Sequence, residues 1–300
     1  MSMLTDLSAC RICPRNCGAN RRVSVGYCGV GAGLRVSRAA LHHWEEPCIS
    51  GTKGSGTVFF AGCSLKCIFC QNHDIALGNS GKDISPKRLE EIFFELKDKG
   101  AHNINLVTPT HYIPVIAPVL RSARDHGLDI PVVYNSGGYE KAEALGILEG
   151  LVDIYMPDFK YYSEVTSKAF SAAPDYPDTA GKAIAEMYRQ CPKAEFTPDG
   201  MMKKGVIIRH MLLPGHVYEA KQIMKYLYSE YGNTVVYSLM SQYTPMKIFD
   251  EHPELSRRVR KREYNSLLEY CLELGIENAY IQEGNAALES FIPSFDNEGV

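Results

Sequence analysis

The 300-residue chain carries a formal net charge of −3, with 45% hydrophobic and 22% charged residues. That composition suits a globular protein with a sizeable core; it holds neither a basic excess that would point to nucleic acid nor a charge block that would form a tail. Residues 1–8 lack the apolar run of a signal peptide and the length of a membrane span, so no membrane association and a cytoplasmic location are expected.

Eight of the ten cysteines fall in the first 70 residues. In a reducing compartment clustered cysteines bind metal more often than they form disulfides. Cys10, Cys13, Cys17 and Cys28 read C-x2-C-x3-C-x10-C, with Gly18, Gly26 and Gly29 supplying turns. Four thiolates can close a tetrahedral zinc site or hold a [4Fe–4S] cluster. Residues 10–33 are too few to bury a core, so metal would supply their folding energy. Pro14 and the three-residue gap lean toward iron, and the choice between iron and zinc stays open. Residues 1–50 thus read as a small metal-stapled extension, and 51–300 as the main domain. Cys48, Cys191 and Cys271 have no partner at metal spacing, and Cys271 sits on an apolar helix stripe.

From Gly56 onward apolar, β-branched runs predict strands at 57–60, 104–107, 130–134, 152–156, 206–213, 235–239 and 279–281. Helical patterns lie between them. Ser85 followed by Pro86 reads as an N-cap with proline in the first turn, and Leu89, Ile92, Phe93 and Leu96 recur at helical spacing up to Gly100. Ile116, Val119, Leu120 and Ala123 form a second stripe ended by Gly127. Ala220, Ile223, Met224 and Leu227 form a third, and Leu267, Leu268, Cys271 and Leu272 a fourth. The stretch 161–204 exceeds one crossover. It reads as an insertion with a helical piece at 182–190 and loops at 174–178 and 198–200. Strands alternating with helices imply an α/β fold with a parallel sheet, of about six units, curled into a partial or complete barrel. Function in that architecture collects at the C-terminal strand ends.

Directly after the first of these strands comes Gly62-Cys63-Ser64-Leu65-Lys66-Cys67-Ile68-Phe69-Cys70. Three thiolates in C-x3-C-x2-C spacing can hold three corners of a cubane and leave the fourth iron open, where fully protein-ligated clusters take four cysteines. A zinc knuckle completed by a remote ligand is the alternative.

This triplet, at this place in a β/α series, resembles the radical SAM superfamily. The resemblance implies a [4Fe–4S] cluster whose open iron binds the amino and carboxylate groups of S-adenosylmethionine (SAM). One electron then cleaves the sulfonium C–S bond and releases a 5′-deoxyadenosyl radical. Phe69, before the last cysteine, matches a position near the adenine. The phrases Glu45-Glu46-Pro47, Thr108-Pro109-Thr110-His111-Tyr112, Met156-Pro157-Asp158-Phe159-Lys160 and Ser241-Gln242-Tyr243-Thr244-Pro245, with the run 49–56, look like a subgroup related to pyruvate formate-lyase activating enzymes. That resemblance covers nearly the whole chain. It implies a partial (βα)6 TIM-like barrel open on one side, and a glycine hydrogen of a partner glycyl radical enzyme as the target.

Carried over by position, Asp158 and Lys160 match an Asp-x-Lys pattern that helps bind SAM, and Asn135 and Ser136 match a ribose and methionine contact. The family's Gly-Gly-Glu motif is replaced by Thr108-Pro109-Thr110-His111, where Thr108 and Thr110 are expected to accept from the SAM ammonium. His111 reads as a proton handler or as a buried structural residue. Alternation puts Arg209 and His210 on opposite faces of their strand. Arg209 is the candidate for the SAM carboxylate, with an ion pair to a helix as the alternative, and Gln242 and Glu283 are weaker candidates. An electron donor of the flavodoxin or ferredoxin type is implied. A radical SAM enzyme acting on a small molecule or peptide, a two-cluster electron carrier and a zinc-binding interaction module remain as competing readings.

Overall fold

The computed structural model describes residues 4–281 and 293–300. In chain order the elements are β1 (Leu34–His42), α1 (Pro47–Ser50), β2 (Ser55–Phe60), α2 (His73–Ala76), β3 (Lys82–Ile84), α3 (Pro86–Asp98), β4 (Ile104–Val107), α4 (Ile113–Asp125), β5 (Val132–Ser136), α5 (Ala142–Leu145), β6 (Ile154–Pro157), α6 (Glu164–Ser171), α7 (Tyr176–Gln190), β7 (Glu195–Phe196), β8 (Met202–Met211), α8 (Val217–Tyr231), β9 (Val236–Met240), α9 (Lys261–Leu274) and β10 (Ala279–Ile281).

The fold is α/β around one sheet of order β10-β9-β8-β6-β5-β4-β2-β1-β3, with β7 paired to β8. Every neighbouring pair from β2 to β10 along that order is parallel. β1 runs antiparallel to β2, and β3 antiparallel to β1. Among the described residues no pairing joins β3 to β10.

All seven expected strands are present. β1, β3 and β7 were not anticipated. β1 has a register shift between Val36 and Arg38, which breaks the period-2 burial that would have announced it. Residues 34–42, grouped by sequence with the N-terminal extension, therefore lie in the main sheet.

The helices follow their patterns. The Ser85 side chain accepts from the Arg88 amide and caps α3, a contact worth about 1 kcal/mol. Leu89, Ile92, Phe93 and Leu96 are buried beneath it, each contributing roughly 1.5–3 kcal/mol. In α9 the expected stripe is narrower. Leu267 and Cys271 are buried, but Leu272, one step further round the helix, is 71% exposed. At 174–178, expected as a loop, α7 already begins at Tyr176, and Pro177 occupies its first turn, where proline fits. Tyr176, Ala180, Ala183, Ile184 and Met187 of α7 enter the core, so the stretch 161–204 supplies the crossover between β6 and β8.

The inner face of the sheet is layered. Cys48 and Ile49 of α1 pack with Val133, Ile154, Met156, Ile207 and Val236 into an apolar floor. Two residues further along their strands stand Asn135, Asp158 and Arg209, on the same face because side chains alternate. The short helix α1 therefore plugs the interior below a polar layer. No helix among the described residues is long and apolar enough to cross a membrane.

Candidate active site

A cavity of about 350 Å³ opens above the polar layer. Its walls come from the C-terminal ends of six parallel strands: Phe59 from β2, Val107 from β4, Asn135 from β5, Asp158 and Lys160 after β6, Arg209 and Met211 from β8, and Met240 and Gln242 at β9. Cys67, Phe69 and Cys70 form one side, while His42 at the end of β1 and Trp44 and Glu45 of the loop after it reach in. Strand ends at the switch from β to loop are where open α/β sheets hold ligands.

Local backbone geometry sets the cysteine loop. Gly62 has φ +89°, and a Cβ there would sit 2.8 Å from the Cys28 carbonyl oxygen, so only glycine fits. Lys66 (φ 53°) and Thr108 (φ 59°) are left-handed non-glycine residues on the loops after β2 and β4. For a β-branched threonine this is a true outlier, and such strain gathers at functional loops. Phe69 is clasped edge-on by Tyr161, Phe170 and Tyr243 at centroid distances of 6.0–6.4 Å.

The thiols are held as ligands would be. The Ser171 hydroxyl donates to Cys67 Sγ at 3.0 Å, and the Tyr161 hydroxyl lies 2.7 Å from Ser171 Oγ. The Leu65 amide donates to Cys63 Sγ at 3.4 Å. Burial pushes the Cys70 thiol up to about 12 and raises Cys63 as well. Thiolates in this place need a cationic partner, and an iron–sulfur core supplies one. Among the described residues no three Cys, His, Asp or Glu side chains surround a single ion-sized point. The fit to a cluster rests on the donor chemistry and on the cavity beside the loop.

Beneath the loop lies a half-buried charge network. Arg209 Nε donates to Asp158 Oδ1 at 2.9 Å, Nη1 to Glu45 Oε2 at 3.1 Å and Nη2 to Asn135 Oδ1 at 2.7 Å. Asn105 and Asn135 donate to the other Glu45 oxygen at 3.1 and 3.2 Å. Lys160 pairs with the free oxygen of Asp158. Burial would raise Asp158, but Arg209 and Lys160 overcome it and hold the carboxyl below its ordinary value. Burial works against the Lys160 ammonium, yet Asp158 and the Cys67 thiolate leave it raised. Glu45 is raised, chiefly by burial. All three nitrogens of the Arg209 guanidinium are committed to protein oxygens, whereas Lys160 spends one of its three donors on Asp158.

Thus Cys67, Cys70, Phe69, Asn135, Asp158, Lys160, Arg209 and Gln242 meet in one cavity. Thr108, Thr110 and Ser136 lie outside its lining. The Thr110 hydroxyl instead donates to Glu140 at 2.8 Å, and Ser136 Oγ accepts from the Gly138 amide. His111 is buried against the Ala61 carbonyl, and burial together with Arg21 pulls it down to about 3, so it stays neutral. His210 points away from the cavity to the Phe159 carbonyl. Glu283 lies outside the described residues. Sequence reasoning missed Glu45 as a site residue. Its partner Arg209 is 164 positions away, and the adjacent acids before Pro47 were the available signal.

The N-terminal cysteines lie directly against this loop. Cys10, Cys13 and Cys28 are buried and Cys17 is exposed. The Sγ atoms of Cys28 and Cys17 are 3.3 and 3.6 Å from the point a Gly26 Cβ would occupy. The Cys63 amide donates to the Cys28 carbonyl at 3.1 Å. Arg15, between Cys13 and Cys17, donates to the carbonyls of Ser64 and Ser171, each at 2.7 Å, and to that of Ala172.

The site is thus a strand-end cavity of an α/β fold walled by two cysteines of a C-x3-C-x2-C triplet. A family profile described as the radical SAM superfamily matches residues 57–227, and the chain belongs to that superfamily. The family implies a [4Fe–4S] cluster and SAM. An uncharacterized protein of Methanocaldococcus jannaschii is 30% identical over 281 residues, covering 90% of this chain and 76% of the relative. Streptococcus suis SuiB, solved with its precursor peptide SuiA, superposes with a TM-score of 0.50 at 14% identity, over 72% of this chain and 46% of that one; this likeness shows the fold. Methylornithine synthase (PylB) gives a TM-score of 0.48 at 12% identity, over 70% of this chain and 59% of that one. The chain spans about half the length of these solved structures.

Proposed function

We propose that this protein binds a [4Fe–4S] cluster through Cys63, Cys67 and Cys70, binds SAM in the adjoining cavity, and acts on a glycine of a partner protein in the manner of an activase. The observation that carries this reading is the meeting of Cys67 and Cys70 with Asn135, Asp158, Lys160 and Arg209 around one cavity. When bound, the cluster and SAM supply one-electron cleavage of a C–S bond and an adenosyl radical.

The chain's own residues bind and orient. Lys160 is the cation with donors to spare, so it meets the SAM carboxylate, while Arg209 fixes Asp158, Glu45 and Asn135 in place. Phe69 and its aromatic neighbours wall off water from the reacting carbon. Asn135 Nδ2 and Oδ1 are taken by Glu45 and Arg209, which makes Asn135 a positioning residue. A cavity of about 350 Å³ is of the size one cofactor fills. A substrate would then approach from outside the cavity, as a partner protein could. A peptide substrate is the second reading, favoured by the same geometry. The electron comes from a donor of the flavodoxin or ferredoxin type.

The test is anaerobic reconstitution, reduction and addition of SAM, followed by chromatography for 5′-deoxyadenosine. Product is expected. A reduced, SAM-perturbed cluster that yields none would defeat the proposal. A glycine-centred EPR doublet on adding a glycyl radical enzyme separates the activase reading from the peptide one.

A further inference from the structure

We infer that the four N-terminal cysteines hold a second [4Fe–4S] cluster, and that the Cys28 carbonyl–Cys63 amide hydrogen bond carries an electron from it to the catalytic cluster. The inference rests on the radical SAM reading and extends it to the electron's entry route.

Arg21 is the first observation. Its side chain is 2% exposed. Among the described residues its hydrogen bonds go to the carbonyls of Gly31 and His111, and one Nη lies 3.9 Å from Cys10 Sγ. A buried guanidinium whose neighbours are neutral carbonyls, a thiol and the Tyr112 ring, 5.6 Å away, still carries an unbalanced charge, which is costly unless an anion stands beside it. Four thiolates around a metal core carry net negative charge, and Cys10 belongs to that set.

The second observation is the seam between the loops. The path from Cys28 Sγ runs through Cβ, Cα and C=O, across 3.1 Å to the Cys63 amide, and through Cα and Cβ to Cys63 Sγ. By backbone dimensions the two Cα atoms are no more than roughly 7 Å apart. Arg15 locks the same seam from the other side through the Ser64 carbonyl. Zinc has one oxidation state and would leave this connection idle, whereas an iron–sulfur cluster would use it.

The third observation is polarity of exposure. Cys17 is exposed, while Cys28 is buried with its carbonyl on the Cys63 amide, so a donor can reach the site at Cys17 and the contact with the catalytic loop is made at Cys28. The step balances as a relay of one electron. A low-potential flavodoxin- or ferredoxin-type donor is oxidised by one electron, and the N-terminal cluster goes from the 2+ to the 1+ state. It returns to 2+ as the catalytic cluster becomes 1+. The electron ends in the cleaved C–S bond, giving methionine and the adenosyl radical, and no proton moves.

The experiment compares the reconstituted full chain with Cys17→Ala and Cys28→Ala. Cys17 is exposed, so its variant keeps the test alive if the buried Cys28 variant does not fold. The wild type is expected to hold about eight irons per chain, and Cys17→Ala fewer, toward about four. The EPR spectrum of dithionite-reduced wild type should show two spins broadened by mutual coupling. That of Cys17→Ala should collapse to one uncoupled signal that still shifts with SAM. Stopped-flow reduction of the SAM-responsive cluster by reduced flavodoxin should slow by at least tenfold in the variant. Four irons with one zinc, or eight irons without spin coupling, overturns the inference and leaves the proposed function standing. If no cluster responds to SAM, the radical SAM reading fails, and the relay with it.

Discussion

The two cysteine loops carry the same side chain and touch through the Cys63–Cys28 backbone hydrogen bond and the Arg15 side chain, yet they differ in build. The 63–70 loop has three thiols, all partly accessible, beside a cavity walled by six strand ends. The 10–28 loop has four thiols, three of them buried. Their arginines, Arg21 buried and Arg209 half-buried, differ in the same sense. Arg209 is balanced by the carboxylates of Asp158 and Glu45, so its charge is settled by protein alone. Arg21 has thiol sulfur and carbonyls and no carboxylate among its hydrogen-bond partners, so the inferred metal–thiolate core would balance its charge. An open coordination site needs a pre-formed polar wall, whereas a closed one can let the metal finish the electrostatics.

The largest effect expected from this contrast is on chemistry. Cys67→Ala should lower 5′-deoxyadenosine formation by at least about 10³-fold, since it removes a ligand of the open site. Activity within tenfold of wild type would place the chemistry elsewhere.

Next come the arginines. Arg209→Met should cost about 3–5 kcal/mol in denaturant melts, with or without iron, because it leaves Asp158 and Glu45 facing each other. Arg21→Met should cost stability only in the metal-loaded protein. Equal costs in both metal states at position 21 would erase the distinction.

A pH effect follows behind the loop after β4, where Glu140 accepts from Thr110. Burial pushes Glu140 up to about 7 from 4.5. The folded state then binds a proton that the unfolded state has released between those values. Stability from this group is intact below about pH 4.5 and is lost as pH rises to about 7. Glu140→Gln should therefore be more stable than wild type at pH 8, by on the order of 3 kcal/mol, with the gap closing near pH 4.5. Melts at three pH values would check the slope, and a gap of the same size at pH 4.5 would contradict it.

The smallest change concerns Ser171. Removing its hydroxyl takes a hydrogen bond from Cys67 Sγ. The midpoint potential of the catalytic cluster in Ser171→Ala should fall by on the order of tens of millivolts. Redox titration followed by EPR reads the shift, and an upward movement would mean that this contact does not tune the cluster.

Much of this was legible in the sequence, and the parts that were not share a cause. The seven parallel strands announced themselves through apolar, β-branched runs, which in strands buried on both faces are near-continuous, as in Val206–Ile208 of β8. β1 hid behind its bulge, and the two-residue β7 is too short and exposed to leave a pattern. The cysteine triplet was legible because three ligands fall within eight residues. Glu45 was not, since its role is fixed only when β8 brings Arg209 beside it. Thr108 and Thr110 were legible as polar groups at a strand end. Which way they turn depends on the left-handed backbone at Thr108 and on Glu140 waiting for the Thr110 hydroxyl.

Trp44, the sole tryptophan of the chain, stands 62% exposed on the cavity wall, within the same lining as two cluster thiols. The molecule therefore carries a built-in optical gauge. Iron–sulfur chromophores absorb where indole emits, so a loaded protein should be dim and should brighten as its iron is stripped. Occupancy of the mouth could then be followed in real time without any attached dye.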